Sequence, residues 1–388
     1  MLSPMTNVKA KIFRDRNFPL RRPSLQKEDA QISIDRWFSS NPTRFGDLKV
    51  LDLQAPKSSG VANETWLVET IRRTPIDKIE VPGPRLVFRL AADDFLYPRS
   101  DLRLHYDLYD CLGLISDLPV PKMLAFEEDS SFLGCRFFVM TRVEGFAAPD
   151  RPNFNYGGWL ADCSVGDREA VWREAVSVMS RLHAVDVSRL TPLKLDEFNS
   201  QGGLKDCLDY WIAYADWCGA AGINLISLAT DWLEENLPST IERCVGISWG
   251  DARLQNLLFD GTRCSAILDW DMVSLAGAEA DLAWWTVADH KHTASRGFPR
   301  LEGIGSPAET IALWESMSGR ELKNFDWHLV FAAFRQALIS QRLVALSGTN
   351  ASPTQIPHEP SIGLQWLSCL LDIRVEFPVT LPFVGLDK

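Results

Sequence analysis

Ser248-Trp-Gly-Asp-Ala-Arg-Leu-Gln-Asn-Leu-Leu-Phe259, followed by Ala266-Ile-Leu-Asp-Trp-Asp271, sets two apolar runs on either side of Asp260-Gly261. Apolar runs separated by Asp-Gly are a strong β-hairpin signal. Such a hairpin pairs residues around 257–259 with those around 264–266. Its open end then brings Asn256 and Asp269 together, and Asp251 lies on the loop that enters it. Three oxygen-bearing side chains converge on one end of a short ribbon. Turn and cap duty is the plainer reading of Asp and Asn at such places, but the spacing favours chemistry.

That set suits Mg²⁺, a hard cation that takes oxygen ligands and is commonly held by one or two protein groups together with phosphates. A further carboxylate beside it can orient a hydroxyl and accept its proton.

Working outward, the N-terminal side reads as a small antiparallel sheet. Strand-like runs are Leu48–Gln54, Thr65–Thr70 and Arg85–Leu90, with the break Pro56-Lys-Ser-Ser-Gly60 between the first two. Two more follow at Met123–Phe126 and Arg136–Val143. A helix capped by Ser24 precedes the sheet. Another, expected from Ser100 to Leu112, has Ser100 as its cap, Asp101 in its first turn and Gly113 as its end. From about residue 160 the periodicity turns helical, with an apolar stripe of Val171, Trp172, Ala175, Val178, Met179 and Leu182. Further helices are expected over 204–219, 224–236, 307–317, 325–346 and 361–373. The expected architecture is α+β and bilobal: an arm and helix at 1–44, a small lobe at 45–143 and a larger, mainly helical lobe at 144–388.

The catalytic stretch resembles that of the aminoglycoside phosphotransferase and choline kinase-like phosphotransferases, distant relatives of protein kinases. Their pattern is H-G-D-x-x-x-x-N, an apolar hairpin, then D-W or D-x-x. The resemblance implies a protein-kinase-like fold, with Asp251 as catalytic base and Asn256 and Asp269 as Mg²⁺ ligands. It continues in Ser59-Gly-Val-Ala-Asn-Glu-Thr-Trp-Leu-Val68, which is similar to the family's nucleotide-covering turn and implicates Ser59, Gly60 and Asn63. Arg89 stands where the family usually has a phosphate-contacting Lys, with His105, Asp101 or Asp107 as its possible partner. The strand ending Thr141-Arg-Val143 resembles the hinge whose backbone meets the adenine edge. Arg181-Leu-His183 resembles the helix end before the substrate-binding helices, and Asp281-Leu-Ala-Trp-Trp285 the helix whose Asp braces the catalytic loop. Trp249 departs from the pattern, which has His there. The likeness covers about residues 45–290 and is nearest to kinase domains fused to acyl-CoA dehydrogenases.

What the resemblance implies is an ATP- and Mg²⁺-dependent phosphotransferase, with GTP as an alternative donor, acting on a hydroxyl of a small molecule. A hydroxyacyl compound or other lipophilic alcohol is favoured by the fourteen Trp. An aminoglycoside would need carboxylates, which Asp206, Asp209 and Asp216 offer. The alternative is a nucleotide-binding pseudokinase with a regulatory role.

Composition narrows the partners. The 388 residues are 46% hydrophobic and 23% charged, with net charge −11, so nucleic-acid and anionic-membrane binding are not expected. The basic residues among the first 23 read as a solvated arm. Without an apolar leader there or a run of about 18 apolar residues elsewhere, a cytoplasmic protein is expected. The eight Cys are scattered without metal-ligand spacing and are expected as free thiols.

Overall fold

The computed structural model describes residues 25–56, 64–74, 79–91, 96–98, 101–195, 203–239, 246–346 and 361–375. The expected arm and the residues Ser24, Ser59, Gly60, Asn63 and Ser100 lie outside them. The described residues fall into two compact units, divided between Glu144 and Gly145. The expected α+β architecture, a small antiparallel sheet followed by a helical region, is what the chain forms.

In the first unit, α1 (Lys27–Ser40) precedes β1 (Leu48–Gln54), β2 (Glu64–Arg73), β3 (Glu80–Pro82) and β4 (Leu86–Leu90). Then come α2 (Leu102–Ile115), β5 (Met123–Glu127) and β6 (Phe137–Thr141). The sheet is antiparallel in the order β1-β2-β4-β6-β5, with β3 on β2. β-Branched and aromatic residues alternate toward one face, where α1 covers them. Ile34, Trp37 and Phe38 pack there against Phe88 and Phe137. Trp37 keeps its indole satisfied by donating to Glu127 Oε2 at 2.8 Å.

Three expectations need adjustment here. Helix α1 begins at Lys27, after Gln26, with no side-chain cap. Helix α2 is capped by Asp101, whose carboxylate accepts from Arg103 N, rather than by Ser100. It also runs through Gly113 to Ile115, because φ < 0 is available to Gly and Leu112 can still bond forward to Ser116.

The second unit opens with β7 (Phe146–Ala147). It adds an edge to the hairpin β8 (Leu257–Asp260) and β9 (Arg263–Ile267). Its longer helices are α3 (Val165–His183), α4 (Gly203–Trp217), α5 (Asn224–Glu235), α6 (Ala278–His292), α7 (Pro307–Ser318), α8 (Phe325–Leu346) and α9 (Ile362–Leu370). Helix starts are chemically marked: Ser164 caps α3, and Ser306 with Glu309 forms a capping box on α7 behind Pro307. Helix α6 is buried almost all round. Helix α8 is long and apolar enough by length and composition to cross a membrane, but it packs on α6 and α9 with 67% of its apolar window buried. The described cysteines, all but Cys244, are unbridged thiols.

Candidate active site

The hairpin forms as its residues dictate. Leu257 pairs with Ile267, Leu258 with Ala266, Phe259 with Cys264 and Asp260 with Arg263, around a bulge after Leu258. At its open end Leu268 N donates to Asn256 O at 2.9 Å. That bond holds Asn256 next to Asp269, as the spacing foretold. Asp269 has φ 63, the left-handed region that Asp tolerates better than most residues. Ser248 and Ser274 exchange backbone bonds of 2.9 and 3.1 Å, tying the loop before Asp251 to the segment after Asp271. Gly250 has φ 95, and a Cβ there would overlap the Met272 carbonyl, so only Gly fits.

One buried carboxylate organises this loop. Asp281, in the first turn of α6, is fully buried. Its Oδ1 accepts from Ser248 Oγ (2.8 Å) and Gly250 N (2.7 Å), and its Oδ2 from Trp249 N (2.6 Å). His183 Nε2 lies 2.9 Å from Oδ2. Trp314 Nε1, which can only donate, is 3.0 Å from His183 Nδ1. His183 Nδ1 must therefore accept, and Nε2 carries the proton toward Asp281. The bracing Asp is thus held by a His–Trp relay from α3 and α7.

Trp249 occupies the position where the resembled pattern has His. Its indole donates to the carbonyls of Leu268 (2.9 Å) and Asp269 (3.0 Å), and its ring is buried beside Trp270. The substitution supplies a ring N–H that pins the backbone carrying Asp269.

Asp251 is enclosed by donors. Trp284 Nε1 reaches Oδ1 at 2.6 Å, while Asn256 Nδ2 (2.7 Å) and Arg253 Nε (3.0 Å) reach Oδ2. Burial opposes its ionisation, but the Arg253 charge and the Trp284 and Asn256 hydrogen bonds prevail. They hold its carboxyl below the usual range. Arg253 also bonds Asp150 at 3.1 Å. Burial alone would weaken its protonation, yet the carboxylates of Asp251, Asp150 and Asp269 raise its pKa.

The donor set fits a hard cation. Asn256 Nδ2 faces two acceptors, Asp251 Oδ2 and Asp251 O (2.9 Å), so the amide oxygen is turned away from them. An amide oxygen and the neighbouring Asp269 carboxylate are ligands Mg²⁺ accepts. No cage of three or more His, Cys, Asp or Glu exists among the described residues, and an ion shared with phosphates needs none.

The structure therefore brings Asp251, Asn256 and Asp269 together. In the first unit, Arg89 stands on β4 opposite Thr65 and Phe138. Thr141 N donates to Lys122 O and Arg142 N to Arg85 O, so of the hinge residues these two backbone donors are engaged and Val143 follows them. Asp107 is taken by Arg103 and Asp101 by the helix cap. Sequence reasoning passed over Arg253, Asp150, Lys291 and His292, and gave Trp284 no contact with the base. Arg253 sits two residues after Asp251 in the quoted stretch, and Trp284 lies in Asp281-Leu-Ala-Trp-Trp285, so both were open to a closer reading.

Comparison with known proteins agrees with the geometry. Human acyl-CoA dehydrogenase family member 11 is 25% identical over 337 residues, covering 82% of this chain. The chain spans 40% of that relative's length. Among solved structures, the aminoglycoside phosphotransferase APH(4)-Ia, in a ternary complex with ADP and hygromycin B, aligns over 88% of this chain and 98% of its own. Its TM-score is 0.53 at 14% identity. The GDP and kanamycin complex of APH(2")-IIia covers 87% and 98%, with a TM-score of 0.54 at 13% identity. The model of the phosphotransferase enzyme family matches residues 54–301. With that match over most of its length, the chain belongs to the phosphotransferase enzyme (APH) family, and as a member it is a small-molecule kinase.

Proposed function

We propose that the protein transfers the γ-phosphoryl group of Mg²⁺·ATP, or of GTP, to a hydroxyl of a small molecule. The observation that carries this reading is Asp251: a half-buried carboxylate kept ionised by Arg253, Trp284 and Asn256 beside two oxygen donors suited to Mg²⁺. A binding-only role gives no use to such a base.

Asp251 orients the acceptor hydroxyl and takes its proton as the new oxygen–phosphorus bond forms and the bond to the β,γ-bridging oxygen breaks. Three donors fix its rotamer, so orientation is set before the acceptor arrives. Asn256 and Asp269 would hold Mg²⁺, which when bound neutralises phosphate charge. By family resemblance, Ser59, Gly60, Asn63, Arg89, Thr141 and Val143 are assigned to the nucleotide. With the Thr141 amide engaged, the adenine contact in that assignment falls to Val143.

The acceptor is a hydroxyacyl compound or another lipophilic alcohol. The carboxylates an aminoglycoside would need are dispersed: Asp206 is buried, Asp209 is bonded to Lys205 and Asp216 is exposed. Aromatic side chains instead crowd the base, with Trp284 on Asp251 and Trp285 walling a cavity nearby.

The test is ADP release with hydroxyacyl-CoA thioesters and with kanamycin. Asp251→Asn is expected to lower turnover by about 10²–10⁴-fold while nucleotide still binds. Full activity in that variant would sink the assignment. Stimulation by kanamycin alone would sink the choice of acceptor.

A further inference from the structure

A fully buried cation lies behind the base. Arg335 stands near the middle of α8, which packs on α6, and it has no exposed surface. Its guanidinium carbon is 4.8 Å from the centre of the Trp284 ring, 5.0 Å from Phe331 and 5.9 Å from Trp211, all within the reach of cation–π attraction. Its Nη2 also donates to the Ala280 carbonyl at 3.3 Å. Ala280 and Trp284 stand at i and i+4 on α6, so they share one face of that helix. The guanidinium thus grips α6 at a carbonyl and at an indole one turn later. Packing alone does not call for a charge here. A Met side chain would fill the space between the helices without the desolvation cost of a buried guanidinium.

The gripped indole is the one that meets Asp251. Trp284 Nε1 donates to Asp251 Oδ1 at 2.6 Å, short for an N–H···O bond. The other oxygen, Oδ2, accepts from Asn256 Nδ2 and Arg253 Nε. Each carboxylate oxygen offers two lone pairs, so Oδ2 is filled and Oδ1 keeps one. The acceptor hydroxyl therefore meets Oδ1, and the Trp284 N–H on the other lone pair sets the direction of the open one. A positive charge over the indole face draws electron density from the ring and from the nitrogen conjugated with it. The N–H becomes a stronger donor as a result. The same charge fixes the plane of the ring, and with it the line along which the N–H points.

We propose that Arg335 is a positioning residue for phosphotransfer: by clamping and polarising the Trp284 indole, it aims the Asp251 Oδ1 that takes the acceptor's proton. The inference rests on the phosphotransfer reading and adds to it which oxygen acts and what holds that oxygen. As the acceptor oxygen bonds to the γ-phosphorus, its proton passes to Oδ1. The electron pair of the bond to the β,γ-bridging oxygen leaves with ADP. Arg335 acts through Trp284 and not on the reacting groups.

Two readouts test this. In protein carrying nitrogen-labelled tryptophan, the NMR resonance missing from Trp284→Phe identifies the Trp284 indole. Its proton is expected downfield in the wild type, as a short bond to a carboxylate requires, and to move upfield in Arg335→Met. An unmoved proton in folded Arg335→Met overturns the inference without any turnover. The second readout is ADP release from Mg²⁺·ATP, with water or a hydroxyacyl-CoA thioester as acceptor. Arg335→Met is expected to lower kcat about ten-fold with the KM for Mg²⁺·ATP unchanged, and Arg335→Lys, which keeps the charge, to recover most of the loss. Trp284→Phe keeps a ring on Arg335 and is expected to lower kcat to a similar extent. Adding Arg335→Met to Trp284→Phe should then change little, because the path is already cut. Losses that multiply would mean that Arg335 acts by another route and would overturn the inference. If Arg335→Met does not fold, wild-type turnover in Trp284→Phe overturns it as well. Full activity in Asp251→Asn, or a wild type that releases no ADP, would instead refute the phosphotransfer reading, a separate outcome.

Discussion

Replacing Asp281 by Asn removes one acceptor oxygen from a site where four donors converge. The amide oxygen can serve only one pair. If it keeps Ser248 Oγ and Gly250 N, the new NH₂ faces Trp249 N and His183 Nε2. His183 cannot offer its other nitrogen, because Trp314 donates to it. At least two buried donors then lose their acceptor, at about 1–3 kcal/mol each, or roughly 2–6 kcal/mol together. In a unit of this size 1 kcal/mol shifts the melting temperature by about 2–4 °C, so a fall of roughly 4–24 °C is expected. Calorimetry of the two proteins measures it, and ADP release from the variant should fall as well, since the braced loop carries Asp251. A melting temperature within about 2 °C of wild type, with activity intact, would refute the claim that Asp281 braces the catalytic loop.

Trp249→Phe keeps the buried ring but removes the N–H that reaches Leu268 and Asp269. It should cost about 1–2 kcal/mol in stability and weaken Mg²⁺-dependent nucleotide binding; a nucleotide affinity equal to wild type would show that this bond does not position Asp269. Acid should destabilise the protein well above the carboxylate range. Burial lowers His328 to about 3 and His292 to about 4. Below the unfolded-state pKa of about 6.5 the unfolded chain binds these protons and the native one does not, so stability falls as pH drops toward the folded values. At about 1.4 kcal/mol per pH unit for each group, the loss from pH 6.5 to 4.5 reaches up to about 3 kcal/mol per histidine. Urea unfolding across that range measures it, His328→Gln should flatten the slope, and an unchanged profile in the wild type would contradict the burial argument. Asp251 acts in the same direction at lower pH: with its carboxyl held low, the stability it lends is present above its unfolded pKa and lost as pH falls through the folded one. The acid limb of turnover should accordingly lie below the ordinary carboxylate range.

Much of the fold was legible because its signals are local. The Asp260-Gly261 hairpin, the stripe of α3 and the periodicity of α8 need no partner to be read. What escaped depends on distant pairing. β7 is two residues long and exists because Phe146 meets Phe259 and Ala147 meets Leu258. β3 is three residues ending at Pro82, too short for alternation to show. Gly113 reads as a stop only if its neighbours are ignored. In the site, Asp251, Asn256 and Asp269 are linked by a short ribbon, so spacing alone gathers them. Asp150 and His292 join the base's surroundings through Arg253, from a segment about 100 residues earlier in sequence and from a helix end, and no local pattern marks them.

The most direct test of the central claim is calorimetric titration of Mg²⁺·ATP and Mg²⁺·GTP into the wild type and into Asp269→Ala. The account predicts saturable binding of at least one nucleotide, dependent on Mg²⁺ and lost in the variant. A folded wild type that binds neither, or a variant that binds as the wild type does, would contradict it.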